Sequence, residues 1–476
     1  MLQYPQPEAV FRYFSELSAI PHGSGNTGHI QKWILDTAKR LSCKAAADSI
    51  GNVIIRKPAS AGYENHPGVI IQGHMDMVCA KLPECTKNMD TDGLELIWSD
   101  DFLSADGTTL GGDDGIAIAY ALALLESDTL PHPPLTVVLT VDEETGMDGA
   151  TALSPDALNG TYLINIDSEE EGIFTVGCAG GVRTHLQYPV QRQKADGCFM
   201  RIAVSGLIGG HSGAEIHKPL LNANVVMIKL LRSVKESFCL AAWNGGIRDN
   251  VIPTDCTVTI RCAAENAAAI AQSIRSEEQQ IRLAYPNETA FQTDIATLPT
   301  HQFDSVLTEA STRTLLHELH KLPNGVQTMN NILHMPETSL NLGIFSLQEK
   351  TMYVDALLRS CVNTQKDALA HKLHRLAESA GGTASDSGSY PAWEYVPDTA
   401  LEHIAADVFQ TMFGKKPVIQ TIHAGLECGI LSGKAPQLQC ISIGPDLFDI
   451  HTPRERLSIA SAERTWHFLL ALLKAL

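Results

Sequence analysis

Residues 68–78 read GVIIQGHMDMV. The stretch opens as a buried strand does, with a run of branched apolar residues. His74 and Asp76 follow where the apolar run ends, and residues two apart on an extended chain point to the same face. Similar runs lie on either side: GNVIIRK (51–57), PLTVVLTVDEETG (134–146) and TYLINIDSEE (161–170). Between them, DDGIAIAYALALLESD (113–128) reads as a helix that is apolar almost all round and therefore buried. Residues 7–41 read as two helices broken at PHGSGNTG. This β-α-β rhythm predicts an α/β fold, a mixed sheet flanked by helices.

The pattern changes after about residue 185. VTIRCAAENAAAIAQSIRSEE (258–278) and DALLRSCVNTQKDALAHKLHRLAES (355–379) each read as a strand, an arginine and a helix; Arg261 and Arg359 stand 98 residues apart. Each segment follows an amphipathic helix, NANVVMIKLLRSV (222–234) or DSVLTEASTRTLLHELHKL (304–322). Residues 186–392 are therefore expected to form an inserted α+β lid domain of two similar lobes. The α/β style returns in TALEHIAADVFQTMFG, PVIQTI and QLQCISIGP, so residues 1–185 and 393–476 are expected to build one domain.

With 476 residues, 44% of them hydrophobic, the chain has material for more than one core. Its net charge of −19, from 54 acidic and 35 basic residues, argues against nucleic acid or an anionic membrane as partner. Eleven scattered cysteines without a C-x-x-C motif point to a reducing setting. No 18-residue apolar run occurs, and the opening MLQYPQPEAVFRYF lacks the features of a signal peptide, so a cytoplasmic location is expected.

In open α/β sheets ligands bind beyond the carboxyl ends of the strands. This chain places His74 and Asp76, then Asp142, Glu143 and Glu144, then Asp167, and late in the chain Asp446, Asp449 and His451 at such ends. Asp113 and Asp114 open the helix between them. Taken singly, DEE reads as a solvated acidic turn and GGDDG as a helix start. Together, so many carboxylates would repel one another unless a cation joined them. Histidine with Asp and Glu, and no thiolate, suits zinc or a similar ion, and two ions sharing a bridging carboxylate would employ the whole set.

The order GHMDMV, LGGDDG, DEETG, INIDSEEEG and DIHTPRE resembles the di-zinc peptidase clan of aminoacylases and dipeptidases, and within it the bacterial aminoacyl-histidine dipeptidases. IPHGSGNTG, GGHSGAEIHK, RDNVIP, SGSYPAWEY and IHAGLECGIL extend the likeness over essentially the whole chain. The resemblance implies that His74 and Asp167 hold one metal, that Glu144 and His451 hold the other, and that Asp113 bridges them. It makes Asp76 the residue that orients His74 and Glu143 the general base. It assigns His211 to the oxyanion of the tetrahedral intermediate. Asn250 and Arg359 would bind substrate, Arg359 through a terminal carboxylate, and Glu427 would meet the substrate's free amine. The implied cofactors are two divalent ions, zinc or else cobalt or manganese.

The implied activity is hydrolysis of dipeptides with a free N-terminus, β-alanyl-histidine among them. The alternatives are an N-acyl amino acid deacylase on the same scaffold and a non-catalytic metal-binding scaffold protein. A homodimer is compatible with the resemblance. Two lobes in one lid would also let His211 act within its own chain.

Overall fold

The computed structural model describes residues 4–195, 197–299, 302–330 and 334–476. The chain divides into two compact units, Met1–Cys178 with Tyr395–Thr421 and Leu426–Leu476, and Ala179–Glu394 with Ile422–Gly425.

The first unit is built on an eight-stranded mixed sheet. At its centre Leu135–Thr140, Val69–His74, Tyr162–Asn165 and Gln439–Ser442 run parallel, in that spatial order. Val53–Lys57 and Lys44–Ala47 extend one side antiparallel, and Ile173–Cys178 and Val418–Ile422 extend the other. Val69–His74 is buried along its whole length, as a strand rich in Val and Ile with both faces covered should be. Helix Gly112–Glu126 packs on it and on helix Glu8–Ser18. Ile116, Ile118, Tyr120, Leu122 and Leu124 point round the entire helix and are all buried. Each such Leu or Ile adds about 1.5–3 kcal/mol when fully buried.

The start of this helix differs from the regular one expected. Asp113 and Asp114 have φ/ψ of −84°/105° and −117°/35°, so both acids stand on an irregular lead-in. The cause is Glu455, whose buried carboxylate accepts the backbone N–H groups of Leu110 (2.9 Å), Gly111 (3.1 Å) and Gly112 (2.8 Å). The loop wraps round that anion before the helix can begin.

The second unit contains a nine-stranded sheet made of two lobes of the same topology. One lobe orders Gln292–Leu298, Cys198–Ser205, Cys256–Cys262 and Phe238–Gly245 across the sheet. The other orders Thr383–Tyr390, Gly180–Pro189, Thr351–Ser360 and Met335–Leu347. They meet edge to edge at Asn244↔Ser346 and Gly245↔Phe345. The strands carrying Arg261 and Arg359 occupy equivalent places, each followed by its helix, Ala267–Ala284 or Asn363–Ser379. Helices Ala223–Ser233 and Glu309–Lys321 complete the lobes, and one apolar core containing Leu231, Ile274, Leu315 and Leu373 runs under both. The first strand of the second lobe, Gly180–Pro189, precedes the entire first lobe in the chain, so one lobe is inserted within the other. The change of unit at 178/179 accordingly comes earlier than the change of sequence pattern near 185.

Candidate active site

The four parallel strands of the first unit all end on one edge, and the acids follow from their ends. His74 closes the strand Val69–His74; Asp167 lies two residues beyond Tyr162–Asn165. Glu143 and Glu144 begin a single helical turn, Glu143–Gly146, held between two left-handed residues, Asp142 (φ 54°) and Met147 (φ 59°). Gly73 lets the helix come close, since a Cβ there would lie 2.4 Å from Asp114 Oδ2. The His74 backbone N–H instead donates to that oxygen at 3.1 Å.

Asp113 is the centre of the arrangement. Its Oδ1 lies 3.0 Å from His74 Nε2, and its Oδ2 lies 3.0 Å from Nε2 of His451. His74 Nε2 is also 3.6 Å from Asp167 Oδ1, and His451 Nε2 is 2.9 Å from Glu144 Oε1. His74 Nδ1 lies 2.9 Å from the Asp76 carbonyl oxygen, which can only accept. That nitrogen therefore carries the proton of a neutral ring, and Nε2 turns a lone pair toward two carboxylates. Electron-rich atoms converging in this way need a cation between them. A proton meets the need in part: burial lowers the pKa of His74, but contacts with Asp113, Asp167 and Asp76 outweigh it and raise the value well above normal. Hydrogen bonds to the Asp113 and Glu144 carboxylates lift His451 to about 11. The donor atoms of His74, Asp113 and Glu144 lie within 4.8 Å of one another, as do those of His74, Asp114 and Asp167. Nitrogen and oxygen donors at this spacing fit a divalent cation. Asp114 competes with Asp113 for such a role, but its Oδ2 is engaged by the His74 N–H.

Glu143 stands beside this cluster. Burial raises its pKa well above normal, and Asp167, Glu427 and Glu144 add to the rise against the opposing pull of His74. A carboxyl whose pKa is raised takes up a proton more readily than an ordinary one, which suits it to general-base work. Asp76 contacts both His74 and the Glu143 backbone. Its carboxylate Oδ1 is 3.6 Å from His74 Nδ1 but accepts the Glu143 N–H at 3.0 Å.

Glu427 begins the helix Glu427–Lys434. It is 0% exposed, and its Oε2 accepts from Gln72 Nε2 (2.5 Å) and Thr140 Oγ1 (2.6 Å) inside the unit. Burial pushes its pKa up to about 7. Asn165 Nδ2 donates to Gln72 Oε1 at 2.7 Å and continues the buried chain. Other acids collected from strand ends serve the backbone or a cation: Asp142 accepts from Gly25 N–H, Asp446 from Glu171 N–H, and Asp449 pairs with Arg456.

His211, Asn250 and Arg359 belong to the second unit. The two-residue strand Gly210–His211 pairs with Val251–Ile252, which places Asn250 at the end of the same ladder. His211 Nδ1 accepts the Ala214 N–H at 3.2 Å, so the neutral ring carries its proton on Nε2 and offers a donor there. Burial, and then Arg359, lower its pKa and favour that neutral form. Arg359 is 6% exposed, gives Nη1 to Tyr390 Oη at 3.1 Å, and has a buried Nε with no hydrogen-bond partner among the described residues. Gly213 lies among these groups: a Cβ there would be 2.5 Å from the His423 carbonyl, 3.0 Å from His211 Cε1 and 3.2 Å from Arg359 Nε.

His423 is buried and exchanges a 2.7 Å hydrogen bond with Ser339 Oγ. Burial, then Arg359 and His217, depress its pKa to about 3. Below pH 6.5 the unfolded chain takes up a proton at this ring that the folded chain refuses, so stability falls as pH drops from about 6.5 toward 3. His423→Gln is expected to flatten that part of the profile, read as urea midpoints between about pH 7 and 4. An unchanged slope would show that this histidine is not held neutral.

Residues 70–475 match the model of peptidase family M20/M25/M40. The chain belongs to this family. It is a peptide-bond hydrolase. The chain is 35% identical over 480 residues to the cytosol non-specific dipeptidase of Escherichia coli (strain K12), covering 98% of this chain and 97% of the other. Its structure superposes on aminoacylhistidine dipeptidase from Vibrio alginolyticus with a TM-score of 0.91 and 33% identity, over 99% of this chain and 97% of that one. Aminopeptidase PepT from Bacillus cereus shares the fold, with a TM-score of 0.58 and 15% identity over 98% of each chain. The sequence reading of this M20/M25/M40 peptidase missed Glu455, Gln72, Asn165, Ser339 and His423. Glu455 lies in DIHTPRE and His423 in IHAGLECGIL, motifs singled out for other residues.

Proposed function

We propose that this chain is a metal-dependent dipeptidase acting on dipeptides with a free N-terminus, Xaa-His such as β-alanyl-histidine among them. The observation that carries the reading is the Asp113 carboxylate, each oxygen 3.0 Å from a different imidazole, His74 or His451. That geometry supports two ions, one among His74, Asp113 and Asp167 and one among Asp113, Glu144 and His451, with zinc, cobalt or manganese suited to the donors. Divalent ions there would polarise the peptide carbonyl and lower the pKa of water. Glu143 takes the proton from the attacking water and passes it to the leaving amine. Asp76 keeps His74 in the tautomer whose Nε2 is free to bind. His211, through Nε2–H, stabilises the oxyanion. Arg359 and Asn250 hold the substrate's C-terminal half, and the second unit serves as lid. The names of the Escherichia coli and Vibrio alginolyticus relatives support the substrate class, and that of the Escherichia coli relative supports a cytoplasmic location.

The test is a dipeptide panel that includes β-alanyl-histidine, run beside N-acetyl amino acids with zinc, cobalt or manganese added. Turnover of the dipeptides is expected; turnover of the N-acetyl compounds alone would make the chain a deacylase. Arg359→Ala should raise KM by roughly tenfold to a hundredfold, in line with about 1.5–3 kcal/mol for a charged hydrogen bond. Arg359→Lys should not restore it, because an ammonium lacks the planar fork. An unchanged KM in Arg359→Ala would remove this residue from substrate binding.

A further inference from the structure

The loop PHGSGNTG carries no role in the scheme above, yet its centre reaches the residues that present the base. Ser24 Oγ donates to Asp76 Oδ2 at 2.7 Å. The same carboxylate accepts the backbone N–H groups of Glu143 at 3.0 Å and Glu144 at 3.4 Å. One residue on, the Gly25 N–H donates to Asp142 Oδ1 at 2.6 Å. Two adjacent loop residues thus grip the two acids that flank the Glu143–Glu144 turn from below and from the side of its left-handed entry.

The loop is itself anchored. The Met77 N–H donates to the His22 carbonyl at 3.1 Å, Asn26 N–H to the Gly23 carbonyl at 2.8 Å, and Asn26 Nδ2 to the Asp90 carbonyl at 3.0 Å. Gly25 has φ 75°, a left-handed value that glycine adopts without penalty and that turns its N–H toward Asp142. Gly23 permits close approach, since a Cβ there would lie 2.5 Å from Cys79 Sγ. Each contact lies within the first unit.

We propose that residues 22–27 form a clasp that positions the catalytic turn, with Ser24 as the positioning residue: its hydroxyl fixes the Asp76 carboxylate, which fixes the backbone of Glu143 and Glu144. The proposal rests on the reading of Glu143 as general base. Ser24 acts through Asp76, which its hydroxyl meets at 2.7 Å. Asp76 faces four groups at once, the Ser24 hydroxyl, the two backbone N–H groups and the His74 ring. Losing the hydroxyl removes the shortest hydrogen bond to the carboxylate and leaves it held by the Glu143 N–H on Oδ1 and the long Glu144 contact on Oδ2. A displacement of about 1 Å at a reacting group can reduce rate on the order of a hundredfold.

The experiment compares full-length wild type, Ser24→Ala and Ser24→Thr, each loaded with zinc. Ser24→Ala should lower kcat roughly tenfold to a hundredfold, keep KM for a dipeptide within about twofold, and keep metal content per chain unchanged. Ser24→Thr, which retains the hydroxyl, should recover most of kcat. Backbone hydrogen–deuterium exchange of the peptide spanning residues 142–147 should accelerate in Ser24→Ala and not in Ser24→Thr. An unchanged kcat with unchanged exchange, a loss of kcat that tracks a loss of metal, or an equal loss in both variants would overturn the clasp. If wild type hydrolyses no dipeptide yet exchange still accelerates in Ser24→Ala, the clasp stands and the assignment of Glu143 as base falls.

Discussion

Dialysis against a strong chelator abolishes hydrolysis, and zinc, cobalt or manganese restores it: this is the largest effect expected for the protein. The reason lies in the charges that meet at Asp113. Its two oxygens face His74 and His451 at 3.0 Å, while Asp167 and Glu144 close on the same imidazoles at 3.6 and 2.9 Å. Burial raises Asp167 to about 7, opposed by His74 and assisted by Asp113 and Glu144. Without divalent ions, this cluster would have nothing to polarise the peptide carbonyl or lower the pKa of water. Elemental analysis should track activity through removal and return of the metal. Full turnover in protein shown to be metal-free would end the metal reading.

The second large effect is that of Glu143→Ala. It should keep the metal and reduce kcat by about 10²–10⁴-fold, the usual weight of general acid–base catalysis. Glu143 is raised by burial and by its carboxylate neighbours, so it can hold a proton between its removal from water and its delivery to the amine. Glu144 faces His451 at 2.9 Å and is the neighbour placed to bind metal. Metal content and kcat measured on Glu143→Ala and Glu144→Ala separate the two roles. Normal turnover in Glu143→Ala, with a loss of turnover but not of metal in Glu144→Ala, would reverse them.

Much of the site was legible because it follows strand ends, and strand ends follow hydrophobic pattern. VIIQGH, LTVVLT and YLIN are apolar runs that end where the sheet ends, and the next polar residues must fall on its carboxyl edge. His74, Glu143, Glu144 and Asp167 could therefore be placed together on that edge, whereas Asp113 opens the helix between them and His451 comes late in the chain. The repeated strand–arginine–helix segments likewise revealed two lobes, since each lobe repeats its own hydrophobic periods.

The burial of a given acid was not legible. Glu427 and Glu143 both stand at the start of a helical segment in the sequence, yet one is 0% exposed beneath Gln72 and Thr140 and the other stands by the metal donors. Glu455 shapes the lead-in to Asp113 across 345 residues of chain, and Ser24 reaches Asp76 across 52.

By itself, the amino-acid sequence determined the α/β class, the two-lobed insertion, the edge of the sheet where acids collect and the family. All of these are written in local periodicity and in residue types at short spacing. Tertiary structure alone decided that Gly180–Pro189 joins the later lobe, that Asp113 lies between two imidazoles, that Asp76 holds the backbone of Glu143, and that Glu427 is sealed from solvent. The physical reason is common to all four. A hydrogen bond or a loss of hydration depends on which distant segment packs against a side chain, and periodicity reports which face of an element is buried without naming what covers it.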